Sequence, residues 1–151
     1  MKLIIFTSFL LVGCSKINAP QEIEIKREYY LSGELKSMTK YDDDKNGEVI
    51  TYYRDGAIRG SFMLVNNKIN GKAIGFDRDG SHTITAHFLD DSLHGYVAVF
   101  ADSVIKFDGY YNMGVIDGKW TNYLLNGKVF AEYSYKNGKL VSIDNFVGDV
   151  E

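Results

Sequence analysis

Glycine returns at a near-constant interval along this chain, at Gly47, Gly71, Gly95 and Gly118, with Ser142 in the fifth place, so that the spacings run 24, 24, 23 and 24. The flanks travel with it. Five residues after each glycine stands an aromatic ring: Tyr52, Phe76, Phe100 and Tyr123. Two residues after stand Val49, Ala73, Val97 and Trp120, and two before stand Ile69, Leu93, Ile116 and Leu140. Copies at one period mark a repeat architecture, in which each unit is a supersecondary element too small to bury its own apolar face.

A second series of turn signals falls between these glycines, at Ser32-Gly33, Asp55-Gly56, Asp79-Gly80, Asp102-Ser103 and Asn126-Gly127. Asp-Gly and Asn-Gly supply the positive φ that a two-residue hairpin turn demands. Fifteen glycines against one proline fit punctuation by tight turns. The expected fold is all-β: tandem antiparallel β-hairpin repeats of period 23–24 residues forming an elongated, twisted, single-layer sheet. Ten strands at about 4.8 Å spacing give a ribbon on the order of 50 Å long.

The N-terminus reads differently. "MKLIIFTSFLLVGCS" carries one positive charge at Lys2, an apolar run from Leu3 to Val12, then Gly13-Cys14. That run is too short for a membrane-spanning helix, which needs roughly 20 residues, and fits the core of a signal peptide. "LVGC" resembles a bacterial lipobox, in which the cysteine is acylated and becomes the first residue after cleavage. Cys14 is the only cysteine of the chain. The expected organisation is a lipoprotein signal peptide over 1–13, a lipid-anchored tether with the first strand entry over 14–27, about five repeats over 28–143, and a tail over 144–151. Acyl chains at about 0.8 kcal/mol per buried methylene hold such a protein to a bilayer. Ser15 after the cysteine points to the outer membrane of a bacterial cell envelope.

Within the repeats, "YYLSGEL", "YYRDGAI", "NYLLNGKV" and "GKWTNY" resemble the MORN-repeat variant, over residues 27 to about 143. The resemblance implies a sheet shaped by aromatics and glycines, with no catalytic residue to carry over. Such repeats occur in bacterial proteins often labelled as the antitoxin side of toxin-antitoxin-like systems, which implies a protein partner.

Other chemistries find little support. "DDDKNGEV" matches the first half of a calcium loop, with Asp42, Asp44 and Asn46 alternating before Gly47. The twelfth position, where a bidentate Glu belongs, is Tyr53. An acid-rich hairpin turn is the simpler account. His82 and His87 are five apart, which sends them to opposite faces of a strand, so they are poorly placed to share a metal; surface histidines are the plain alternative. No Gly-x-Ser-x-Gly elbow is present, and the one thiol is assigned to lipid. No enzymatic activity and no cofactor are expected. A net charge of −3 without a basic stripe gives a nucleic-acid partner no electrostatic footing.

The eleven tyrosines remain. Alternation sends neighbours of a Tyr-Tyr pair to opposite faces, and Tyr30 and Tyr53 are the members expected to be free for a partner. The chain is therefore expected to be an envelope lipoprotein with a protein-binding repeat domain, immunity- or antitoxin-like, with a structural envelope lipoprotein as the alternative.

Overall fold

The computed structural model describes residues 23–42 and 45–145. Eleven strands lie in one antiparallel sheet whose spatial order is the chain order. They are β1 (Glu24–Tyr29), β2 (Leu35–Tyr41), β3 (Gly47–Tyr52), β4 (Ile58–Val65), β5 (Lys68–Phe76), β6 (His82–Leu89), β7 (Ser92–Ala101), β8 (Val104–Asn112), β9 (Val115–Tyr123), β10 (Val129–Lys136) and β11 (Lys139–Asn145). The all-β repeat fold is as the spacing predicts, with eleven strands instead of ten because Lys139–Asn145 pairs fully with β10. Each strand packs on its chain neighbours, and among the described residues no second layer covers either face.

Two kinds of turn alternate along the sheet, and they fall differently from expectation. After β1, β3, β5 and β9 the loop is a four-residue turn closed by a glycine at positive φ: Gly33, Gly56, Gly80 and Gly127. In the first of these Gly33 N–H donates to Tyr30 C=O at 3.0 Å and Tyr30 N–H donates to Glu34 C=O at 2.9 Å. Only the glycine of Ser32-Gly33, Asp55-Gly56, Asp79-Gly80 and Asn126-Gly127 is left-handed, so these are type I turns with a glycine bulge. The two-residue turns with both φ positive are Asn66-Asn67, Asp90-Asp91, Asp102-Ser103, Met113-Gly114 and Asn137-Gly138. Asp102-Ser103 alone keeps the geometry expected of its series, and it does so without glycine.

The period glycines are not strand openers, apart from Gly47 at the head of β3. Gly71, Gly95 and Gly118 sit inside β5, β7 and β9 at φ 81°, 100° and 98°. There the register slips: Phe62 pairs with Ala73 and Leu64 with Ile69, so three residues of β5 face one of β4. The same slip recurs between β6 and β7 and between β8 and β9. A left-handed residue in a strand needs glycine, and the bulge bends the strand and deepens its twist.

Beside the bulge lie backbone groups that the next unit uses. Val65–Lys68 closes a two-residue turn, so the adjacent Leu64–Ile69 pair is of the non-hydrogen-bonded kind, and Ile69 turns its N–H and C=O toward β6. Asp91 N–H donates to Ile69 C=O at 3.0 Å, and Ile69 N–H donates to Asp91 Oδ1 at 2.7 Å. Gly114 N–H to Leu93 C=O at 2.7 Å and Gly138 N–H to Ile116 C=O at 2.9 Å repeat the link. Every second turn is thereby tied to the preceding repeat.

Following the pairing across strands gives one apolar row: Val49, Phe62, Ala73, Ala86, Val97, Gly109, Trp120, Tyr133 and Ile143. Val49, Ala86 and Val97 are buried in it, and Ala98 on the opposite face is fully buried. No large side chain among the described residues is fully buried. That follows from one layer: a bulky group on either face keeps one side in water. Gly109 is the tightest position, because a Cβ there would enter the Trp120 ring. Gly109→Ala should therefore cost about 1–3 kcal/mol by overpacking, read as a lower urea midpoint. Ser103→Gly, which relieves a left-handed serine at φ 63°, should gain about 0.5–1 kcal/mol.

Candidate functional site

The row just traced runs from polar to aromatic. Toward β1 and β2 the same face carries Lys26, Glu28, Ser37 and Thr39, placed there by pairing Lys26–Thr39 and Glu28–Ser37. A shallow groove of about 440 Å³ lies over this end, lined among others by Ser37, Thr39, Val49, Thr51, Phe62 and Leu64. Toward the other end the rings crowd together. Phe107 stacks on Trp120 at 5.1 Å between centroids, and Tyr111 meets Trp120 edge-on at 6.0 Å. Trp120 Nε1–H donates to Asn122 Oδ1 at 3.2 Å. Trp120, Tyr111, Phe107, Tyr133 and Tyr135 are all half-buried, each keeping part of its surface open.

The opposite face holds a carboxylate between two phenols. Tyr96 O–H and Tyr123 O–H both donate to Asp108 Oδ2, at 2.8 and 3.3 Å. Burial and the neighbouring Asp108 charge push both tyrosines above their ordinary value, Tyr96 most. The ammonium of Lys106 on the same strand is buried with no hydrogen-bond partner.

Tyr30 and Tyr53 have structural work. Tyr30 O–H donates to Tyr52 C=O at 2.7 Å and Tyr53 O–H to Phe76 C=O at 2.9 Å, each reaching the next repeat. Their rings carry guanidinium groups: Arg54 lies 5.3 Å from the Tyr30 centroid, and Arg78 and Arg59 lie 5.4 and 5.9 Å from that of Tyr53. In the first pair the freer tyrosine is Tyr29, 57% exposed, and Tyr30 is half-buried. Tyr52 and Tyr53 are both half-buried. Tyr30 keeps the face of Lys26 and Glu28, lining the same groove, and its hydroxyl is taken by Tyr52 C=O, which leaves Tyr29 the more open of the pair. The aromatic cluster around Trp120 was legible in the period but hidden by it, since rings at unlike offsets meet only once the register is known.

The scaffold aromatics sit where the period puts them, Tyr52, Phe76 and Tyr123 at strand ends and Phe100 one residue short of the end of β7. Cys14 and Asp44 lie outside the described residues, as do the leader over 1–13, the tether up to residue 22 and the tail beyond Asn145. Of the calcium-type loop, Asp42 accepts from Asn46 N–H at 3.0 Å and from its side-chain amide at 3.3 Å, and Asn46 Oδ1 accepts from Asn66 N–H at 3.1 Å. The described residues bring no three potential metal-binding side chains together. The histidines are less exposed than surface positions suggest. His82 packs on Phe100 at 4.3 Å and Phe76 at 5.9 Å, and His87 Nδ1 meets Tyr96 C=O at 3.0 Å; His94 is exposed. In the third unit Asp77 and Asp79 both accept from Ser81 N–H, and the hydrogen bond between the two carboxyls holds Asp79 down at about 2 while raising Asp77.

Three outcomes follow from this geometry. Tyr53→Phe, which removes only the hydroxyl donated to Phe76, should lower stability by about 1 kcal/mol in denaturant titration. Tyr96 and Tyr123 hold their protons longer folded than unfolded, so stability should fall as pH rises past about 10. Asp108→Asn should shift their absorbance titration to lower pH.

Residues 116–137 match the MORN repeat variant family, the stretch that holds most of β9, the Asn126-Gly127 turn and β10. No curated protein matches the chain. Among solved structures, a mutant of S. aureus TarM in complex with fondaparinux, alpha-GlcNAc-glycerol and UDP aligns over 70% of this chain at 16% identity and a TM-score of 0.32. The chain spans 19% of that protein's length. The chain is an all-β array of hairpins that carries the MORN repeat variant at residues 116–137.

Proposed function

We propose that this chain is a membrane-anchored envelope lipoprotein whose hairpin array binds a protein partner. The observation that favours it is the row of half-buried rings, Phe107, Tyr111, Trp120 and Tyr133, on a sheet that no second layer covers among the described residues. Tyrosine and tryptophan on a stiff backbone give large contact area at little entropic cost, the composition favoured in protein interfaces. Cys14 supplies the anchor in this proposal, acylated after the apolar leader, and the bilayer is the second partner. The cell envelope, and within it the outer membrane, is the proposed location. Neutralisation of a partner by occlusion, immunity- or antitoxin-like, is the finer form of the proposal. A structural envelope lipoprotein without a tight partner is the competing one, favoured by the polar Lys26–Thr39 end of the same face.

An in-cell crosslinking pull-down from native membranes separates the two. The tagged protein is compared with Cys14→Ala and with Ile84→Arg, the latter on the ring-bearing face at 38% exposure. One dominant protein lost in Ile84→Arg, with Cys14→Ala leaving the membrane fraction, is the expected result. No specific partner with membrane retention intact selects the structural lipoprotein.

A further inference from the structure

The two open edges of the sheet are unlike. β1 is exposed along its whole length and carries Glu24, Lys26, Arg27 and Glu28, with a Lys26–Glu28 ion pair at 2.9 Å. Charges on an edge discourage strand addition. β11 exposes Leu140 at 48%, Val141 at 68% and Ile143 at 49%, with charge only at Lys139 and Asp144.

Among the described residues the repeat chemistry also stops at β11, one step short. Lys136–Lys139 closes the last two-residue turn and Tyr135–Leu140 is the next pair, the place held by Ile69, Leu93 and Ile116 in earlier units. By the same register Leu140 turns its N–H and C=O away from β10. In the three earlier units that carbonyl accepts an N–H from the following two-residue turn. Past Leu140 no further strand follows among the described residues. The edge is thus shaped for a strand of the kind that follows β3, β5, β7 and β9 and ends in a left-handed two-residue turn.

We infer that the β11 edge is a docking site for an antiparallel strand of a partner protein, one with alternating apolar side chains followed by such a turn, which extends the sheet by one strand. The inference rests on the protein-binding proposal above and adds a second contact surface to the ring-bearing face. It continues an interface the sheet already makes ten times, in which main-chain hydrogen bonds give affinity and alternate side chains give register. Val141 and Ile143 meet the incoming strand, and the Leu140 carbonyl takes its turn N–H.

A synthetic peptide copying residues 129–138, VFAEYSYKNG, is the probe, since it carries β10 and the turn whose Gly138 N–H reaches Ile116. Binding to the full chain is measured by fluorescence anisotropy beside a Val141→Lys/Ile143→Lys variant, whose sites are solvent-exposed so that folding is kept. Saturable binding weakened about tenfold or more in that variant is the expected result. No saturable binding, or equal binding by the variant, overturns the inference. So does a concentration-dependent dimer in sedimentation that the double variant abolishes, because the edge then belongs to a second copy. Photo-crosslinkers placed at Ile84 and at Val141 in cells separate the two proposals. Partner capture at Val141 supports the edge. Capture at Ile84 alone overturns the edge and leaves the partner-binding proposal standing; capture at neither overturns both.

Discussion

A single sheet has no interior, and this chain answers that constraint with hydrogen bonds between repeats. Buried apolar area is small: Val49, Ala86, Val97, Ala98 and Ala131 are the buried apolar side chains among the described residues. What replaces a second layer is a set of links at both margins of the ribbon. On one margin the two-residue turns donate to Lys45, Ile69, Leu93 and Ile116 carbonyls. On the other, Tyr30 and Tyr53 hydroxyls reach the carbonyls that end the first strand of the next repeat. Each link spans one period, so the sheet is fastened at its edges as well as through its ladders. A net gain of roughly 1 kcal/mol per satisfied hydrogen bond is modest singly, and its worth lies in fixing register.

The glycines serve this scheme by position. Gly71, Gly95 and Gly118 let a strand skip residues relative to its partner just beyond Ile69, Leu93 and Ile116, whose outward carbonyls the next two-residue turn bonds. A period of 24 residues is then the length of two strands, one type I turn, one two-residue turn and one bulge. Gly109 has a different task, leaving the space that the Trp120 ring fills.

The fold was legible in the sequence because period, turn signals and aromatic offsets all agree. Strand number, turn class and bulges were not. Asp-Gly and Asn-Gly suit both a two-residue turn and the glycine end of a type I turn, so Asp55-Gly56 and Asn126-Gly127 could not be told apart from the former by composition. Asn66-Asn67 and Asp90-Asp91 hide as two-residue turns because left-handed Asn and Asp lack glycine's signature. For the candidate face the difficulty is that alternation separates Tyr29 from Tyr30 without saying which face is occupied: Tyr30 shares the groove of Lys26 and Glu28 and bonds Tyr52 C=O, while Tyr29 is open. The Asp108 cluster joins Tyr96 and Tyr123, twenty-seven positions apart by their numbers, and nothing in local spacing announces it.

Strand order equal to chain order has a kinetic consequence. Pairing partners are always consecutive, so contact order is low and loop-closure entropy stays nearly constant as the sheet grows. A chain delivered amino end first can add one strand at a time without waiting for a distant segment. Repeat arrays of this sort fold by nucleation and propagation along a line. Among the described residues β11 is the last strand laid down and pairs with β10 alone, so it is the first to fray when the ribbon is stressed from that end.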